Sequence, residues 1–241
     1  MDANILITGT SSGIGHALAR AYLEEGARVF GMSRRSPDDL LAVPHYRHAS
    51  IDLADFESTR TVLRTLVNDV EDLHLVILNA AVIGRIADIA ETSVLEMKQT
   101  MEINVWSTKV VLDELYKLGR KVHQVVAISS GAAVSAQRGW NAYSISKAAL
   151  NMLIGLYAAE RPETHFSAIA PGIVDTRMQE YISSMPDDPR YASVAMLRKA
   201  RGTPMMPQPD AVAEPLMLAF QKALKEPSGT FADFGTLLRK R

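Results

Sequence analysis

An apolar run, Ile5-Leu6-Ile7, ends in Thr8 and passes directly into Gly9-Thr10-Ser11-Ser12-Gly13-Ile14-Gly15, after which apolar residues recur with helical spacing. Glycines at 9, 13 and 15 between a strand-like and a helix-like segment constrain the chain strongly. Gly9 permits a tight turn, and the missing side chain at Gly13 lets backbone N–H groups approach an anion. Gly15 lets the new helix pack closely on the strand. The hydroxyls of Ser11 and Ser12 and the helix start at Ile14 add donors in the same place, so the pattern predicts a βα junction that cradles a diphosphate.

The same alternation continues along the chain. Short β-rich runs at about 3–8, 28–32, 46–51, 74–79, 122–129, 164–170 and 229–234 alternate with helical patterns at about 14–25, 55–70, 95–118, 141–160 and 210–225. This is the pattern of βαβ units, and right-handed crossovers place helices on both faces of a parallel sheet. The expected fold is therefore α/β: a doubly wound, parallel, seven-stranded, Rossmann-like sheet in a single domain over residues 1–241. Ligands in such sheets sit beyond the carboxyl ends of the strands. Residues 175–209 differ from the rest, with Pro186, Pro189, Pro204, Pro207 and Pro209 in one stretch, and are expected to form an irregular lid over a substrate.

Composition narrows the function classes. Lys and Arg total 26 against 27 Asp and Glu, so no basic field exists to collect nucleic acid or anionic lipid. Basic pieces such as Arg198-Lys199 are expected to be solvated surface. With no cysteine there is no disulfide, thiol nucleophile or Cys-built metal site. The absence of any long apolar run argues against a membrane span, and a cytoplasmic location is the expectation. The six histidines lack metal-ligand spacing and are expected to be structural, which also disfavours a hydrolase triad.

Two loops speak to the anion. After the second strand, Ser33-Arg34-Arg35 stands where an NAD-binding chain would often place an acid for the ribose hydroxyls. A small residue followed by two guanidinium groups suits a 2′-phosphate, which points to NADP(H). Asp52-Leu53 and Asn79-Ala80 follow the third and fourth strands and are candidates for lining the adenine and ribose path.

Tyr143 and Lys147 lie at i and i+4, one helical turn apart on a single face. An adjacent ammonium stabilises phenolate, so Lys147 is expected to lower the Tyr143 pKa toward the working range. Ser130 ends an apolar strand thirteen positions earlier and can orient a substrate carbonyl for proton delivery by Tyr143.

Gly9-x-x-x-Gly13-x-Gly15, Asn104, Ser130 and Tyr143-x-x-x-Lys147 together resemble the short-chain dehydrogenase/reductase family in its compact form. The resemblance implies that Tyr143 is the proton donor, that Lys147 tunes it and holds the nicotinamide ribose, and that Ser130 orients the carbonyl. It implies that Asn104 supports a water-linked proton relay, the alternative being a helix-surface amide. It also implies that Pro171, Gly172, Ile173, Val174 and Thr176 embrace the nicotinamide carboxamide. One departure is Ala81, which stands where the family usually has glycine. Gly139-Trp140-x-x-Tyr143, Asp175-Thr176-x-Met178-Gln179 and Gly229-x-x-x-Asp233 are similar to the sepiapterin reductase and benzil reductase branch. That likeness makes Asp233 a substrate candidate, unless it is an acid common to the wider family.

The expected activity is NADPH-dependent reduction of a ketone, of a dicarbonyl or pterin-like compound, to a secondary alcohol. Trp140, Met178 and Met185 are either pocket wall for a flat substrate or ordinary core. The alternatives are an NADP-linked dehydrogenase oxidising a hydroxysteroid or polyol, and a cofactor-sensing protein without catalysis. The partner is a small-molecule carbonyl compound. The family resemblance implies a homodimer or homotetramer through segments 95–118 and 141–160, where Val110, Val111, Leu115, Leu150, Leu153 and Leu156 are either interface or core.

Overall fold

The computed structural model describes residues 3–240. Seven strands form one parallel sheet: β1 Asn4–Thr8, β2 Arg28–Ser33, β3 Tyr46–Ser50, β4 Asp72–Leu78, β5 Lys121–Ile128, β6 His165–Ala170 and β7 Thr230–Asp233. Their order is β3-β2-β1-β4-β5-β6-β7, so the winding direction reverses between β1 and β4. The crevice at that reversal is where the fold leaves room for a ligand.

The continuous apolar runs are explained by burial on both faces. Ile5 and Ile7 of β1 pack with Leu75 and Ile77 of β4 on one side, while Leu6, Val76 and Leu78 pack on the other. The first side is covered by α1 Gly13–Glu24, α9 Pro209–Ala223 and α10 Phe234–Arg239. Leu63 of α3 Phe56–Leu66, Leu112 of α5 Ser107–Lys117 and Ile154 of α6 Asn141–Glu160 cover the second side. Phe30, Phe166 and Phe220 are almost wholly buried, each gaining about 1.5–3 kcal/mol from leaving water.

The helix expected over 95–118 is interrupted. α4 Val94–Met101 passes into a π-helical turn, Glu102–Trp106, before α5 begins. Asn104, inside that turn, spends its side chain on the backbone of Val82 and not on the helix surface. The helix expected over 55–70 stops at Leu66, because Val67 and Val70 are apolar to fill the core after the helix has ended. A short helix, α2 Asp38–Leu41, and α10 were not foreseen.

The lid is more regular than expected. It contains α7 Arg177–Ser184 and α8 Ala192–Ala200, and its prolines fall between helices or at the first residue of α9. Ile182, Tyr191, Val194 and Leu197 form a small core with Ile83, Ile86 and Tyr143, which seats the lid on the body. Arg190 reinforces the contact through Asp88 and Glu91.

Of the apolar residues considered for an interface, Val110, Val111, Leu115 and Leu150 are buried in the chain's own core, and Leu153 packs against it. Leu156 is exposed, as are Trp106 and Met152. No described helix is long and apolar enough to cross a membrane.

Candidate active site

The glycine turn at the end of β1 has the backbone the sequence demands. Gly9 and Gly13 have φ of 79° and 64°, a region that glycine enters without cost. A Cβ on Gly15 would lie 2.4 Å from the carbonyl oxygen of Gly9, so the helix start is pressed against the turn. Asn79, from the end of β4, braces it by donating to the carbonyls of Thr8 and Gly9 at 3.0 and 3.2 Å. Ser12 is the N-cap of α1 but its side chain makes no capping bond, which leaves the first N–H groups of the helix for another acceptor.

A cavity of about 580 Å³ opens from this turn across the carboxyl ends of the strands. Ser11, Ser12 and Ile14 line it beside the glycines, and Asp52, Leu53, Asn79 and Ala80 line it after β3 and β4. Ala81 lines it too. Among the described residues His45 is the only non-glycine with positive φ, so the extra methyl of Ala81 is carried without backbone strain. Arg34 and Arg35 reach the cavity with exposed guanidinium groups. Ser33 also lines it, but its hydroxyl is occupied, donating to the Arg35 carbonyl at 2.8 Å and meeting His48 Nε2 at 3.0 Å.

The other end of the cavity holds Ser130, Tyr143 and Lys147. β5 delivers Ser130 and α6 delivers the other two. Asn141 fixes the start of α6 by donating to the Ala87 carbonyl at 2.9 Å and to Thr92 Oγ1 at 2.6 Å. Lys147 Nζ donates to the Ile128 carbonyl at 2.7 Å and lies 5.8 Å from the centre of the Tyr143 ring. Burial lowers the Lys147 pKa from 10.5 to about 8.

The electrostatics of Tyr143 differ from the sequence expectation. Burial raises its phenol above the usual value of 10, and the Ser130 hydroxyl facing it pulls the other way. Desolvation of the phenolate outweighs the Ser130 hydrogen bond, so the phenol holds its proton more tightly than a solvated tyrosine.

Asn104 does not line the cavity. Its Oδ1 accepts from Val82 N at 2.8 Å, and its Nδ2 donates to Val82 O and to Ser146 Oγ, both at 2.9 Å. Ser146 in turn donates to the carbonyl of Tyr143 at 2.8 Å. The Asn104 side chain therefore positions the Tyr143 backbone.

Pro171, Gly172, Ile173, Val174 and Thr176 line the cavity after β6, and Thr176 packs against the glycine turn. Trp140 and Met178 line it as well, with the Trp140 ring 6.0 Å from that of Tyr143. Met185 is turned away and packs in the small core under the lid. Gly15 also lies outside the lining, its part being contact with Gly9. Asp233 reaches the cavity while one carboxylate oxygen caps α10 through Thr236 N at 3.2 Å. Arg177, Ser193 and Met196, all from the lid, line the cavity without having been singled out in the sequence. Ser193 accepts from the Trp140 indole at 2.6 Å, a pairing no local spacing announces.

Comparison with known proteins agrees with this geometry. The family model for short chain dehydrogenase matches residues 3–187. An uncharacterized oxidoreductase of Schizosaccharomyces pombe is 36% identical over 73% of this chain and 72% of its own length. A protein of Bacillus subtilis named benzil reductase ((S)-benzoin forming) is 30% identical over 90% of this chain and 93% of its own. The solved structure of a short chain dehydrogenase/reductase from Saccharomyces cerevisiae superposes with a TM-score of 0.84, covering 98% of both chains at 24% identity. A seven-stranded parallel sheet, a glycine turn facing Tyr143 and Lys147 across one cavity, and a family match over most of the chain lead to one assignment: the protein belongs to the short-chain dehydrogenase family and is an oxidoreductase.

Proposed function

We propose that the chain is an NADPH-dependent reductase that converts a ketone, with a second carbonyl or a pterin-like ring beside it, into a secondary alcohol. The observation that supports this most is the single cavity joining the glycine turn and Arg34 and Arg35 to a buried Tyr143. The residues fit a dinucleotide phosphate. The glycine turn and the uncapped start of α1 suit a diphosphate. Arg34 and Arg35 suit a 2′-phosphate, since no acid follows β2 in that place. Lys147 suits a ribose hydroxyl, and the segment from Pro171 to Thr176 suits a carboxamide.

Bound NADPH supplies the hydride that reduces the carbonyl carbon. Ser130 donates to the carbonyl oxygen and fixes its direction. Tyr143 delivers its proton to that oxygen as negative charge develops there, so the product leaves as a neutral alcohol. Cationic Lys147 then stabilises the phenolate left behind until it is reprotonated. The lid, seated through Ile182 and Leu197, keeps water from the reacting centre. Trp140 and Met178 offer a flat aromatic and a soft apolar surface, which suits an aryl ketone.

The Bacillus relative named benzil reductase supports a diketone substrate. Exposed Trp106, Met152 and Leu156 on adjoining helices support assembly into a homodimer or homotetramer.

The test is NADPH oxidation by the purified protein against benzil, isatin, sepiapterin and simple aldehydes, repeated with NADH. Turnover of the dicarbonyls with NADPH preferred is expected. Reduction of NADP⁺ by a sterol or polyol with no ketone turned over would overturn the direction. Cofactor binding with no turnover would overturn catalysis.

A further inference from the structure

Arginine side chains in this protein almost all have partners. Among the described residues only Arg34, Arg35 and Arg177 have a guanidinium with neither an ion pair nor a hydrogen bond. All three line the same cavity. Arg34 and Arg35 follow β2, whereas Arg177 begins α7 on the lid.

The lid shows the contrast most directly. Arg190 is paired with Asp188, Arg198 with Asp187, and Arg201 with Asp175. Those arginines hold the lid together, and Arg177 does none of this work. The residue before it, Thr176, is in contact with the glycine turn: its Cγ2 lies 3.3 Å from where a Cβ on Gly13 would stand. Asp175, one step further back, is held by Arg201 Nε at 3.0 Å and Gln208 Nε2 at 3.1 Å. The segment presenting Arg177 is thus anchored beside the turn that suits a diphosphate, with its fork of donors left over.

We propose that Arg177 is a lid-borne clamp for the diphosphate of the dinucleotide, separate from recognition of the 2′-phosphate by Arg34 and Arg35. The proposal rests on the cofactor reading above and assigns a further binding residue to it. A guanidinium offers phosphate oxygens a planar pair of donors that remains charged at any working pH. Because Arg177 belongs to α7, an anion that engages it also ties the lid to the glycine turn. Binding of the dinucleotide therefore steadies the lid where it is already seated.

The experiment is calorimetric titration of NADP⁺ and of NAD⁺ into wild type, Arg177→Gln, Arg177→Lys and Arg34→Gln, at low and high salt. Arg177→Gln is expected to weaken both dinucleotides by the same factor of roughly ten at low salt, less at high salt, with partial recovery in Arg177→Lys. Arg34→Gln is expected to weaken NADP⁺ alone. Limited proteolysis gives a second reading: NADP⁺ slows cleavage at residues 185–190 in wild type and does so less in Arg177→Gln. Unchanged affinity of Arg177→Gln for both dinucleotides overturns the clamp while leaving the cofactor reading intact. Loss confined to NADP⁺ overturns it by moving Arg177 to the 2′-phosphate. Unchanged affinity with a raised KM for a carboxylated ketone overturns it by giving Arg177 to the substrate. Failure of wild type to bind either dinucleotide overturns the cofactor reading and the clamp together.

Discussion

Lys147 Nζ donates to the carbonyl oxygen of Ile128 at 2.7 Å, joining α6 to the end of β5. Ser129 repeats the link one helical turn further on, donating to Asn151 Oδ1 at 2.6 Å. These bonds tie the helix that carries Tyr143 to the strand that delivers Ser130. Tyr143 and Ser130 therefore keep their relation before any ligand arrives, which is the preorganisation that the proposed proton delivery requires.

The burial of Lys147 has a consequence for stability. Its pKa falls from 10.5 to about 8 on folding, so between those values the unfolded chain binds a proton that the folded chain does not. The contribution of this group to stability rises with pH through that window. The unfolding free energy of wild type minus that of Lys147→Met is expected to increase by up to about 3 kcal/mol from pH 8 to 10.5. Urea denaturation at a series of pH values checks this, and a flat difference would contradict the desolvated placement.

Asn104 closes a chain of hydrogen bonds from Val82 to Ser146 to the Tyr143 carbonyl. Asn104→Ala leaves the N–H and C=O of Val82 without those partners, at a cost of about 2–4 kcal/mol in denaturant unfolding. Turnover should fall as well, since the Tyr143 backbone loses its brace. A loss of less than about 0.5 kcal/mol would show that the π-helical turn stands without this side chain.

In the proposed function the two arginines after β2 set the cofactor preference. Arg34→Gln combined with Arg35→Gln is expected to reduce the ratio of NADP⁺ to NAD⁺ affinity by about tenfold or more. Equilibrium titration of both dinucleotides measures it. A ratio that does not move would place the 2′-phosphate elsewhere.

Gly15 and Gly131 separate crowding from glycine content. A Cβ at Gly15 meets the Gly9 carbonyl at 2.4 Å, whereas one at Gly131 meets nothing within 4 Å. Gly15→Ala is expected to lower the unfolding free energy by about 2 kcal/mol or more, and Gly131→Ala to change it by less than about 0.5 kcal/mol. Equal effects would mean that the helix start yields more easily than the packing suggests.

The sheet and the glycine turn were legible because their signals are local. Ile5-Leu6-Ile7 is apolar at every position since both faces are covered, and Gly9 and Gly13 stand where φ is positive. The i to i+4 spacing of Tyr143 and Lys147 was legible for the same reason. The π-helical turn at Asn104 was not, because the hydrogen-bond partner of Asn104 is Val82, on a separate segment of the chain. For Met185 the sequence leaves pocket wall and core both open, and the turn after α7 directs it into the small core with Ile182 and Leu197. The balance at Tyr143 was misjudged because a sequence shows the neighbouring lysine and not the depth of burial. The clustering of Arg34, Arg35 and Arg177 is invisible in one dimension, since only the folded chain shows which arginines lack partners.

The proposed function turns on proton transfer from the Tyr143 phenol to a ketone oxygen. The most direct measurement is NADPH oxidation by wild type and Tyr143→Phe with benzil, together with the affinity of each for NADP⁺. Wild type is expected to turn benzil over to the hydroxyketone, Tyr143→Phe to lose about 10²–10⁴-fold in turnover, and NADP⁺ affinity to stay unchanged within about threefold. Turnover by Tyr143→Phe comparable to wild type would contradict it.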